Sequence, residues 1–240
     1  GVDASGTKGA AEKAALLREE VVVSVGQKEQ LGNPDARIKL KDSEDEEYLS
    51  EYAETYEGLT TGDLDRFVCK FWERFQIADG WIPFIGGVTA FADYGGRDQI
   101  IYWEDGAGAL VNSETSYIKG QKAWGGYGLR ISQTGRLVPT IYTGELFDKN
   151  SATLLPRSVD ALPAIYCFAQ SEEFNLAIRE IDQALKVTIG TIVKIPFNLQ
   201  RWQRVAAERY PNGLPKPYSD DPTQWLFHGH PQPATDPLQV

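Results

Sequence analysis

The chain has no methionine, only two cysteines and two histidines, and no apolar run near the roughly 20 residues that cross a bilayer. Each shortage excludes something. Cys69 and Cys167 lie far apart and outside any Cys-x-x-Cys pair, while His228 and His230 stand near the other end. No zinc site is expected from them; two reduced thiols in apolar surroundings are. Nothing at the N-terminus has the basic-then-apolar shape of a secretory leader. The expected setting is cytoplasmic, with no membrane partner. The missing methionine leads to the expectation of a piece of a longer protein.

Catalytic signatures are missing as well. There is no Gly-x-Gly-x-x-Gly after a strand, no phosphate-loop lysine, no His-Glu-x-x-His and no Gly-x-Ser-x-Gly. With both histidines in an irregular tail, a Ser-His-Asp or Cys-His engine is hard to build. The pairs Glu104–Asp105 and Asp220–Asp221 read as caps and solvated turn residues. No catalytic, cofactor or metal site is expected in this chain.

What is present suits a globular fold. Hydrophobic residues make up 42% and aromatic residues 11% of 240 positions, enough to bury a sizeable core. The net charge of −10 argues at first against nucleic acid, but its distribution is uneven. Residues 1–60 carry 14 acids against 7 bases, whereas the remainder is nearly balanced. A balanced fold can still present a basic face.

Three parts are expected along the chain. Residues 1–57 read as a helical, acidic lead-in: a helix from about Ala10 to Glu20, a strand Val21–Val25, a turn at Gly32–Asp35, then an acidic stretch. In that stretch Tyr48, Leu49, Tyr52, Ala53 and Tyr56 share one helical face. Residues 58–209 read as an α+β domain, a mixed short-stranded sheet with flanking helices. Asp63 is placed to cap a helix through Phe75, and Ser158 one over Leu162–Ala169. Ser171 is placed to cap Glu172–Leu185, and Asn198 a helix to Arg209. Strands are expected at Gln99–Trp103, Leu129–Ser132, Thr140–Thr143, Thr153–Leu155 and Thr191–Ile195. Residues 210–240 form an extended, Pro-rich arm, with Trp225 and Phe227 pinning it to the body. Trp72 and Trp202 fall on apolar stripes and are expected in the core.

Several segments are more particular than core or turn requires. They are Gly58-Leu59-Thr60-Thr61-Gly62-Asp63 with Phe71-Trp72-Glu73; Tyr94-Gly95-Gly96-Arg97 with Trp103-Glu104; and Trp124-Gly125-Gly126-Tyr127-Gly128 leading to Gly135-Arg136-Leu137. Tyr142–Asp148, Leu185–Thr188 and Val193–Phe197 follow, then the tail from Tyr210-Pro211-Asn212-Gly213 to Trp225-Leu226-Phe227-His228-Gly229-His230-Pro231. In this order they resemble the C-terminal half of type IIG-like adenine-specific DNA methyltransferases, including the BREX- and DISARM-type methylases of phage defence. The resemblance covers the chain from about Gly58 onward, and the tail is its most specific part. It implies a DNA-target-recognition region working beside a catalytic domain that binds S-adenosylmethionine. The donor loop and the Asn/Asp-Pro-Pro-Tyr/Phe motif of that family are not in this sequence, and Asn33-Pro34-Asp35 does not replace the latter. Activity is therefore not expected of the chain itself.

That role requires side chains for base edges and for phosphates. Arginine and lysine suit guanine, glutamine suits adenine, and cations or backbone N–H groups hold phosphates. Arg97, Gln99, Lys119, Lys122, Arg130, Gln133 and Arg136 stand on or beside glycine-rich loops, and Arg66 follows Asp63 by less than a turn. Trp124, flanked by glycines, is the stacking candidate. The expected partners are double-stranded DNA and the catalytic domain of the same parent chain. The alternative is a protein–protein assembly module of a defence complex, docking through the acidic segment and the proline-rich arm.

Overall fold

Eight short strands and five α-helices occur among the residues that the computed structural model describes, which are 9–19, 22, 24–28, 31, 47–217 and 219–226. The strands are β1 (Ala53–Glu57), β2 (Val68–Lys70), β3 (Trp81–Ile85), β4 (Gln99–Tyr102), β5 (Gly128–Ser132), β6 (Pro139–Tyr142), β7 (Leu146–Phe147) and β8 (Ser151–Pro156). The helices are α1 (Ala10–Glu19), α2 (Leu64–Phe67), α3 (Leu162–Ala169), α4 (Glu172–Ile181) and α5 (Leu199–Arg209). The class is α+β. The chain divides into two units, Gly1–Glu46 and Glu47–Val240.

In the first unit, α1 buries no side chain. Good helix formers and a bond from the Gly9 amide to Glu12 Oε2 (2.9 Å) support it locally. The strand expected at Val21–Val25 is not formed: Val22, Ser24 and Val25 are described and lie in no strand, while Val21 and Val23 fall outside the described residues. The Gly32–Asp35 turn and the acids up to Glu46 do so entirely.

In the second unit β1, β8, β5 and β6 make an antiparallel sheet in that order. Leu129, Ile131, Ile141, Ala152 and Leu154 point one way, into the main core. That core is closed by the helices. α3 is apolar all round and buries Leu162, Ala164, Ile165, Tyr166, Cys167, Phe168 and Ala169, so it must sit inside. Phe168 touches Phe174, Phe197 and Trp202 at ring distances of 5.4, 5.2 and 5.2 Å, tying the other helices to it. Ser171 caps α4 and Asn198 caps α5, each oxygen accepting a backbone N–H.

The other face of the sheet is also covered. Tyr56, Thr153, Arg130 and Thr140 lie side by side across its four strands. Over this row lie Ile85 and Phe147, from a second sheet of order β2-β4-β3-β7, in which β3 and β7 run parallel. Arg130, Thr140 and Thr153 are each no more than 1% exposed.

Several elements differ from the sequence reading. The face of Tyr48–Tyr56 is not one α-helix; after a 3-10 turn at Leu49–Glu51, Ala53–Glu57 forms β1, because five residues in register with β8 outweigh a local helical pattern. The helix capped by Asp63 stops at Phe67, since Val68, Cys69 and Lys70 pair with Ile101, Ile100 and Gln99 instead. Trp72 is consequently 57% exposed, not in the core. α4 ends at Ile181, where the Asp182 carboxylate accepts the Ala184 and Thr188 amides, and Leu185 is left outside. Those amides, Thr188 first, hold the Asp182 carboxyl below its ordinary value. Ser158 makes no side-chain cap, and Ile189–Thr191 is a 3-10 turn rather than the start of a strand.

The arm is anchored as expected at Trp225. Its ring packs edge-on against Tyr94 at 5.1 Å, its indole N–H donates to Ser219 O at 2.6 Å, and the Tyr94 hydroxyl donates to Pro215 O at 2.6 Å. Phe227 lies outside the described residues. No helix among the described residues is long and apolar enough to cross a membrane.

Candidate nucleic-acid interface

The nine expected contact residues fall into three groups, and the first group is inside the protein. The Arg130 guanidinium lies between the two sheets, where it pairs with Asp148, donates from Nε to Gly86 O at 3.2 Å and lies over the Phe147 ring. Burial pulls its pKa below the ordinary arginine value, and the Asp148 carboxylate opposes that shift. Arg97, 3% exposed, gives Nε to Glu145 Oε1 at 2.5 Å and one terminal nitrogen to Ile141 O at 2.9 Å and Thr143 Oγ1 at 3.1 Å. Its faces are occupied by Tyr94 and Trp225. Gln133 is 2% exposed and donates to Val187 O at 2.7 Å. None of these three presents its polar end to solvent. The reason is that the glycines beside them shape a closed interior: a Cβ on Gly128 would stand 2.2 Å from Leu154 O.

The second group lies on the surface but is already engaged or half-covered. Lys119 Nζ pairs with Glu57 Oε2 at 2.6 Å. Lys122 is exposed near Glu54, whose carboxyl is held below its ordinary value by the Tyr56 hydroxyl first, then by Arg157 and also by Lys122. The cations of this loop therefore face the acids of β1. Gln99 is half-buried within β4, and Trp124 is half-buried edge-on against Trp103 at 5.4 Å. The Trp124 indole N–H is buried without a hydrogen-bond partner. Arg66 is exposed on α2, with its guanidinium 4.8 Å from the Phe67 ring centre.

Arg136 stands apart. It sits at the tip of the β5–β6 hairpin, after Gly135 in the left-handed region (φ 63°). No acidic side chain among the described residues pairs with it. The hairpin is clamped to α4 at two points. Asn175 Oδ1 accepts the Leu137 amide at 2.9 Å, and Arg179 donates to Gly135 O at 3.0 Å. Beneath the tip lies a cavity of about 280 Å³, lined among others by Arg136, Phe91, Gln170, Asn175 and Arg209.

No family model matches the chain, and no curated protein is similar to it.

Arg209 and Phe91 were not singled out in the sequence. Arg209 is the last residue of α5, where a cation already has a reason to stand against the helix C-terminus. Phe91 is 48% exposed in an irregular loop with no periodicity to mark it. Only the fold brings either of them to Arg136.

Proposed function

We propose that this chain recognises the DNA target for an N6-adenine-specific DNA methyltransferase of a phage-defence or restriction-modification system. In that proposal, the methyl donor S-adenosylmethionine belongs to a catalytic domain of the same parent protein, not to this chain. The order of the sequence segments supports the assignment, and the geometry adds one carrying observation. Arg136 is exposed and free of any carboxylate among the described residues; it is held on a clamped hairpin and shares a concave surface with Arg209.

A methylase acting on adenine N6 removes the base from the duplex at a cost of a few kcal/mol, so a second surface must hold the DNA meanwhile. Cations held in place suit that task, because little side-chain order remains to be lost on binding. Arg66 and Lys122 are the further surface cations of the proposed interface; Arg97, Arg130 and Gln133 hold the scaffold that presents it.

The test is duplex binding followed by fluorescence anisotropy from about 50 to 200 mM salt, where phosphate contacts make affinity fall steeply. Arg136→Ala is expected to weaken binding about tenfold, the scale of one charge-assisted contact. Binding that is undetectable at low salt, or that ignores both salt and Arg136, removes the proposal. The second reading, a protein assembly module, is favoured by one observation: Trp72, Phe75 and Ile77 are exposed together on one segment. It predicts that the chain shows no salt-dependent duplex binding and that Phe75→Ser abolishes its association with a partner protein of the defence complex.

A further inference from the structure

We infer that the cavity under the β5–β6 hairpin binds a single nucleotide unit, its phosphate on Arg136 and Arg209 and its base against Phe91. The inference rests on the DNA-recognition reading for its biological context, but the site is argued from its own chemistry.

Size comes first. A volume of about 280 Å³ is at the small end of ligand sites, roughly 300 to 1,000 Å³, so it admits one nucleotide and not a duplex. Charge comes second. Two arginines line the cavity, no aspartate or glutamate does, and neither arginine forms an ion pair among the described residues. An arginine fork matches a phosphate and stays charged at any working pH. Third is an aromatic surface. Phe91 remains 48% exposed although its ring stacks on Tyr166 at 6.2 Å, so it offers an apolar face at the cavity wall. Bases stack on such faces whatever their identity.

The fourth feature is a polar atom left over. Gln170 donates through Nε2 to the Tyr210 hydroxyl at 3.3 Å, while its Oε1 is shielded from solvent and accepts nothing. A buried acceptor without a donor is costly, and Gln170 lines this same cavity. That oxygen is shielded from the cavity as it is from bulk solvent, so a base N–H reaches it only after the Gln170 amide turns toward the cavity. Asn175 is already spent on the Leu137 amide and on Ser171 O, so it positions the hairpin and does not touch the ligand.

The nucleotide has two possible sources: free in solution, or swung out of a DNA strand. The experiment is a titration of the whole chain, followed by backbone-amide NMR, with deoxyadenosine 5′-monophosphate and, separately, with inorganic phosphate. The expected result is saturable shifts around Phe91, Arg136, Gln170 and Arg209 with the mononucleotide, and at least tenfold weaker binding of phosphate alone. Arg136→Ala and Arg209→Gln each weaken the mononucleotide about tenfold. Phe91→Ala does the same, and Phe91→Tyr restores it. Equal affinity for phosphate and mononucleotide overturns the inference, as does mononucleotide binding unchanged in the variants or absent at about 10 mM, beyond the range of weak sites.

Duplexes separate the sources. A duplex with a one-nucleotide bulge that binds about tenfold tighter than the paired one indicates an extrahelical nucleotide; equal binding of the two indicates a free one. Mononucleotide binding without paired-duplex binding would keep the cavity and remove the DNA-recognition reading. Salt-dependent duplex binding without mononucleotide binding would do the reverse.

Discussion

Arg130 and Arg136 stand at the middle and just past the end of one strand, yet they live in different solvents. Arg130 is closed between two sheets with Asp148 and the Gly86 carbonyl as partners; Arg136 projects from a hairpin tip with no acidic partner among the described residues. The difference teaches that a glycine beside an arginine marks a close approach of backbone without saying what approaches. At Gly128 it is the neighbouring strand's Leu154 carbonyl. At Gly135 nothing stands within 4 Å, and the φ of 63° serves the turn alone.

The contrast is broken most directly at its inner end. Arg130→Ala leaves Asp148 without its cation, and a loss of about 3 to 5 kcal/mol is expected in urea unfolding. A loss under about 1 kcal/mol would mean that this arginine is not a structural cation at all. Replacing Arg130 and Asp148 together by Met and Asn is expected to recover much of the loss.

Alkaline pH addresses the same interior without mutation. Burial raises the pKa of the Tyr94, Tyr142 and Tyr166 hydroxyls above the ordinary value of 10.0, and for Tyr166 the bond to Asp93 adds to it. The folded state therefore keeps protons that the unfolded state releases. The stability these groups contribute is complete below about pH 10 and declines above it, by about 1.4 kcal/mol per pH unit for each tyrosine. Denaturant midpoints at pH 9 and 11 check this, and a midpoint unchanged between them would contradict the burial of these hydroxyls.

At the outer end the effects shrink. Gly135→Ala strains a left-handed residue and is expected to cost about 1 kcal/mol while loosening the placement of Arg136. Smallest of all is Lys119→Ala, which removes an exposed pair with Glu57 and is expected to change stability by less than about 1 kcal/mol. A larger effect would show that the loop is held by its ion pair rather than by packing.

The helical half of this fold was legible in the sequence because its signals are local. The apolar run of α3, the stripe Phe174, Ile178 and Ile181, and the caps Ser171 and Asn198 each sit within a few residues of what they specify. The short strands near Leu129, Thr140 and Thr153 were also visible from alternation. What alternation could not supply was the layer on their far side. A strand reading apolar, cationic, apolar looks half-solvated, and only the second sheet turns Arg130 into an interior residue. Arg97 is hidden for the same reason, since its partners Glu145 and Trp225 come from distant segments. Of the candidate interface, the sequence pointed to Arg136 but had no means of joining it to Arg209 and Phe91, which meet it only through α3, α4 and α5 packing on the sheet.

The seat of Trp225 on the Arg97 guanidinium has a practical corollary for anyone shortening this protein. An end point chosen at Pro211, just past the last α-helix, would strip the indole from a buried cation whose Nε is already committed to Glu145. Trimming there would admit water to the Arg97 guanidinium, so protease resistance of the β3–β4 loop becomes a reporter for whether the last segment is seated.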